Sequence, residues 1–179
     1  MRPYQIFIVL GIFLLVFYFF GGFVFIFASL IVLFEKTIFG RINFIPGIEF
    51  TTLATLLVTL KYGLIIGLLF VIFIPLALPL IINFILEEKW VVNPNFQFLS
   101  IGLGNIVDIV SVILIFYLRS LDIIWITLIV LIFKHSTNLI ADKLRGVTFS
   151  LNEIGVPIGF LFNLSIIYFL HPFWIYLLS

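Results

Sequence analysis

The stretch IFIVLGIFLLVFYFFGGFVFIFASLIVLF, Ile6 to Phe34, runs 29 residues without a charge. At about 1.5 Å of rise per residue such a helix outruns a hydrocarbon core of about 30 Å, so it needs tilt or a bend. Gly21-Gly22 is where a bend fits. A cleaved signal peptide has a shorter apolar region, about 7–15 residues, and a small-residue cleavage site; neither is present, so the segment reads as a retained span. The rest of the chain agrees with lipid as the solvent: 64% of the 179 residues are apolar and only 9% charged. Nine basic and eight acidic side chains cannot cover the surface of a soluble domain of this size.

Working outward from that first run, a short polar loop holds Lys36, Gly40 and Arg41, and a second apolar stretch then covers 44–60, interrupted near its start by Pro46-Gly47 and Glu49. Lys61-Tyr62-Gly63 follows, then a third stretch, 64–86, with Pro75 and Pro79. The 43 residues from Phe44 to Leu86 are too many for one straight span, so they read as two helices joined by a tight turn. The most polar loop, Glu87-Glu88-Lys89-Trp90 through Asn95, leads to stretches at 96–118 and 121–141, joined by Arg119-Ser120 as antiparallel neighbours. A sixth, 154–178, carries Pro157 in its first turn, where a missing N–H costs little. The expected fold is an all-α polytopic membrane bundle, one domain over 1–179, with spans at about 6–34, 44–60, 64–86, 96–118, 121–141 and 154–178. Five spans, with a re-entrant piece before a true span in 44–86, is the alternative. On six spans, basic residues favour both termini outside; a five-span count reverses this.

Composition excludes several functions. The net charge is +1 and Lys and Arg occur only singly, so nucleic acid is not an expected partner. With no Cys, thiolate catalysis, disulfides and Cys-based metal centres are excluded. No lipid-phosphotransferase, prenyltransferase, nucleophile-elbow or zinc-helix motif occurs. Glu87, Glu88, Asp142 and Glu153 lie in loops or at span ends, and only the first two are adjacent. The chain therefore reads as no enzyme, with no cofactor and no metal.

Ionisable groups at membrane depth cost on the order of 2.5–3.5 kcal/mol each, so each needs a partner or a task. Asn105, Asp108 and Ser111 recur every three residues in the fourth span and form a polar stripe. Lys134, His135 and Asn138 lie in the second half of the fifth. About the Arg119-Ser120 turn, Asp108 mirrors a level near Leu131, within reach of the Lys134 side chain, and an Asp108–Lys134 pair is expected. Counted inward from Ile154, Asn163 reaches a similar layer. Glu49, after Pro46-Gly47, is read as a carboxylate at a helix start or as a group facing a cavity. The candidate ligand-binding set is Asn105, Asp108, Lys134, His135, Asn138, Asn163 and Glu49. The same layer reads equally as structural glue between helices. His171, Trp174 and Tyr176 read as interfacial anchors.

Ile45-Pro46-Gly47-Ile48-Glu49-Phe50, an apolar run, and then Tyr62-Gly63 and Gly67 resemble the early helices of the substrate-binding S-components of energy-coupling-factor vitamin transporters. They also resemble rod-shape-determining membrane proteins. The first resemblance implies a small-molecule pocket open to the outside and a partner membrane subunit, contacted through small residues on the first span, here Gly11, Gly21, Gly22, Ala28 and Ser29. The second implies a scaffold within an envelope assembly. The expected function is thus a non-enzymatic membrane subunit binding a small molecule for transport, with a structural subunit as the alternative and a lipid-modifying enzyme third. Loops of about 3–12 residues hold no domain of their own, so the expected surroundings are the lipid bilayer of the cell membrane, a membrane protein partner and a small-molecule ligand.

Overall fold

The computed structural model describes residues 3–35, 49–77, 103–144 and 151–179. In chain order they form α1 (Pro3–Phe34), α2 (Thr51–Tyr62), α3 (Leu64–Val71) continued by a π-helical turn (Ile72–Ala77), α4 (Leu103–Leu118), α5 (Ile123–Leu144), α6 (Leu151–Phe169) and α7 (His171–Leu178). The fold is all-α: seven α-helices and no strand among the described residues. Lys36, Gly40, Arg41, Pro46-Gly47, Pro79, the Glu87-to-Asn95 loop and Arg145 lie outside them.

By length and composition one described helix, α5, is apolar enough to cross a membrane, and α6 with α7 makes a second if the bent pair counts as one span. Gly21–Phe34, Leu64–Pro75 and Gly104–Leu118 are apolar but shorter.

The first apolar run does bend at its glycine pair. Gly22 takes φ 62° and ψ −155°, a conformation nearly reserved to glycine, and breaks the helix there. The Tyr62 hydroxyl donates to the Gly21 carbonyl at the break, and the Phe25 ring packs edge-on against Tyr62. The break therefore sits level with the Lys61–Gly63 turn. The second half of α1 packs along α2, and the run over 6–34 is bent into two pieces at the expected glycine pair.

α2 is the central helix. Every residue from Thr51 to Thr59 is buried, which is how a helix enclosed on all sides looks. Its last turn closes where Gly63, at φ 84°, donates its N–H to the Thr59 carbonyl at 2.9 Å. Its first turn has no cap from Phe50. Instead Glu35, buried at the end of α1, accepts the N–H groups of Phe50 and Thr51, both at 2.6 Å, and the Thr51 hydroxyl. A carboxylate on the positive end of the helix satisfies donors that would otherwise be orphaned. Glu35, set just ahead of the polar loop, is thus a buried helix cap.

α4 and α5 are antiparallel neighbours about the Arg119-Ser120 turn, as expected. Asp122 accepts the Ile124 N–H at 2.9 Å and starts α5 two residues later than composition suggests. Pro75 cannot donate to the helical ladder, and the chain around it widens into the π turn.

The sixth apolar stretch is not straight. α6 and α7 meet at Leu170 with a bend of 72°. Pro172 has no N–H and its ring crowds the carbonyl four residues back, so α6 cannot continue. Lys61 holds the far end of α7, donating to the Leu178 carbonyl at 3.1 Å. The bend turns Trp174 inward to 4% exposure, with its indole N–H on the Ile166 carbonyl at 3.3 Å. Trp174 is therefore a core residue rather than an interfacial anchor, while Tyr176 stays 74% exposed.

Large apolar side chains lie exposed on the outside, and a set of polar side chains is buried within an otherwise apolar core. The exterior carries Phe19, Phe23, Tyr117, Leu161 and Tyr168, and the interior holds Ser29, Thr51, Thr52, Thr55, Thr59, Ser111, Thr127, Lys134 and Asn163.

Candidate functional site: a polar layer around Lys134

Three helices converge on one ammonium group. Lys134, halfway along α5 and 4% exposed, donates to Asp108 Oδ1 of α4 at 2.6 Å and to Thr52 Oγ1 of α2 at 3.1 Å. Its third donor goes to Glu49, just ahead of α2. A lysine has three N–H donors, and here each has an acceptor. The antiparallel turn brings Asp108 and Lys134 level, as the spacing predicts. Glu49 joins them because Glu35 pins the chain at Phe50 and Thr51, which fixes where the preceding residue points.

Lys134 is sealed more tightly than its partners, whose side chains are 25% exposed for Glu49 and 15% for Asp108. Two carboxylates around one buried ammonium give strong mutual attraction in a medium of low effective dielectric, and the hydroxyl of Thr52 completes the ammonium's coordination.

The remaining expected site residues surround this trio without joining it. His135 is half-buried, its ring 6.0 Å from that of Phe160, and its Nε2 is sealed from solvent without a hydrogen-bond partner. Asn163, buried on α6, donates to the Gly159 carbonyl at 2.8 Å and leaves Oδ1 unpartnered. Asn105 and Asn138 are half-buried, and their side chains make no hydrogen bond among the described residues. Ser111, on the Asn105–Asp108 stripe, turns back to the Val107 carbonyl at 2.7 Å. No group of three or more His, Asp or Glu side chains among the described residues could hold a metal ion.

Glu35 and Thr52 belong to this region and the sequence reading did not single them out. Glu35 carried one signal, an acid set flush against a long apolar run; Thr52 carried none. Of the small residues on the first span, Ala28 and Ser29 are buried within the chain's own core, whereas Gly11 is exposed.

No family model, no curated protein and no solved structure matches this chain.

Proposed function

We propose that this chain is a non-enzymatic, multi-pass subunit of the cell membrane that binds a small polar molecule for transport, in the manner of the S-components it resembles. The layer around Lys134 is its binding level. The observation that carries the reading is a pair of buried, unsatisfied polar atoms, His135 Nε2 and Asn163 Oδ1, on the packed helices α5 and α6 beside a buried charge network. Buried polar groups are nearly always paired, and two unpaired ones on packed neighbouring helices are where a polar solute would gain most. The exposed large apolar side chains and the charged cluster buried around Lys134 support the lipid setting, and six apolar stretches in the sequence support six passes. The loops between the apolar stretches are too short to hold an ATPase, so any energy input is assigned, in this proposal, to a partner chain.

A specific observation favours a second reading, a structural subunit. All three donors of Lys134 are already taken by the chain itself, which is how a helix lock with no ligand looks.

Native mass spectrometry of the purified chain separates the two. Transport predicts a small solute that is retained by the native chain and lost in His135→Leu and Asn163→Leu while the fold persists. A scaffold predicts no solute and a stoichiometric protein partner. The pass count is tested by labelling single cysteines, which is clean because the chain has none. Cysteines at Ile38, Asn93 and Thr148 should label from one side, and those at Ser120 and Ser179 from the other. Labelling of Ser120 and Asn93 from the same side would remove the six-pass arrangement.

A further inference from the structure

A cavity of about 150 Å³ lies between the second half of α1, the first two turns of α2 and the inner side of the α6–α7 bend. Ala28, Leu53, Leu57, Ile166, Phe173 and Trp174 are among its walls. The indole N–H of Trp174 is engaged by the Ile166 carbonyl, so no wall side chain presents a free polar atom to the space. A polar solute would find no partner in it. Apolar cavities of this size stay dry and accept hydrocarbon guests.

The cavity is separate from the Lys134 layer. Phe50, Leu53, Ala54 and Leu57 line it from one face of α2, at helical spacings of three and four. Thr52, Thr55 and Thr59 occupy the opposite face, the one that meets Lys134. The cavity also reaches the outside: Leu170 and Phe173, two of its walls, are 48% and 40% exposed. Phe169, next to Leu170 in sequence, and Phe23, whose ring stacks on that of the wall residue Phe27, are exposed as well, so the surface beside the opening is rich in large apolar side chains.

The geometry points to a binding slot for the hydrocarbon chain of a bilayer lipid, entering between α1 and α7 and ending against Trp174. This rests on the membrane setting proposed above. At an apolar rim within a bilayer the surrounding medium is acyl chain, and a chain that fills the space restores dispersion contacts an empty void forfeits. The wedge exists because Pro172 bends the last span, so the slot is built into the fold.

Trp174 is the reporter. The chain has three tryptophans, Trp90, Trp125 and Trp174, and Trp125 is 60% exposed on α5. Two single-tryptophan forms are reconstituted in phosphatidylcholine vesicles brominated near the middle of one acyl chain: Trp90→Phe with Trp125→Phe, and Trp90→Phe with Trp174→Phe. Bromine quenches indole emission on contact. The slot predicts that Trp174, although only 4% exposed, loses most of its emission, and that Ala54→Leu or Ala28→Leu, which fill the cavity, restores it. If Trp125 is quenched and Trp174 is not, the slot is overturned and the membrane setting stands. If neither is quenched, the membrane setting itself fails. Quenching of Trp174 that survives both filling substitutions also overturns the slot, because the bromine is then arriving by another route.

Discussion

Lys134 Nζ lies 2.6 Å from Asp108 Oδ1, tying α5 to α4, and the same ammonium reaches Glu49 at the head of α2. The network is therefore asymmetric, with one cation shared by two acids. Lys134→Met removes the charge both carboxylates face and should cost about 3–5 kcal/mol, the usual penalty for breaking a buried ion pair from one side. Asp108→Leu leaves Lys134 on Glu49 and Thr52 and should cost less, about 1.5–3 kcal/mol for one charged hydrogen bond. Thermal aggregation in detergent gives the order. Equal losses would show that Glu49 does not hold the ammonium.

Glu35 caps a helix from 15 residues upstream. Glu35→Ala removes the acceptor for two backbone N–H groups at the start of the central helix and should destabilise by about 1–2 kcal/mol. Glu35→Gln keeps an oxygen acceptor but loses the charge that the helix N-terminus favours, so it should fall between Ala and wild type. Because Glu35 also positions Glu49, the Ala substitution should reduce the cost of a subsequent Glu49→Gln. Additive losses in the double mutant would separate the cap from the Lys134 network.

At the break in α1 a strained glycine meets a hydroxyl. Gly22→Ala forces a side chain into a conformation that non-glycine residues avoid, at about 1–3 kcal/mol. Tyr62→Phe leaves the Gly21 carbonyl without its donor, with a penalty of about 1–3 kcal/mol if nothing else reaches it. Gly11→Ala is the control, since an added Cβ there meets nothing within 4 Å. Melting points of the three variants in one detergent decide; a neutral Gly22→Ala would mean the helix runs straight through.

What could be read from the sequence followed from periodicity and local geometry. The Asp108–Lys134 level came from counting residues on either side of a two-residue turn, and the Gly21-Gly22 bend and the Lys61–Gly63 turn came from glycine placement. Glu49 is legible as a candidate, but its tie to Lys134 and the capping role of Glu35 are not, because both contacts join residues far apart in sequence and are set by helix packing rather than by spacing along the chain. The α6–α7 bend was legible in principle, since Pro172 interrupts an apolar run, but composition alone reads 154–178 as one span. Trp174 was misplaced for a related reason: a tryptophan near a span end suits either a headgroup belt or a core, and the bend chooses the core.

Gly67 of α3 lies tight against Thr59 of α2 and Val112 of α4. A Cβ added there would sit 2.5 Å from Thr59 Oγ1 and 2.9 Å from Val112 Cγ1, distances that real Cβ atoms do not adopt. Gly67→Ala must therefore push the helices apart or twist Thr59, and should cost about 1–3 kcal/mol as an overpacked core does. Thr59 Oγ1 is buried without a hydrogen-bond partner, so Thr59→Ala loses no bond and should by itself be close to neutral. Combining the two removes the oxygen that the new methyl strikes. The double variant should melt well above Gly67→Ala, with Val112 Cγ1 at 2.9 Å and the Cβ of residue 59 at 3.2 Å remaining as tight neighbours, and a double-mutant cycle should return a favourable coupling of about 0.5–3 kcal/mol. If the double variant is no more stable than the sum of the single losses, Thr59 and Gly67 are not in contact, and the close approach of α2 and α3 is wrong.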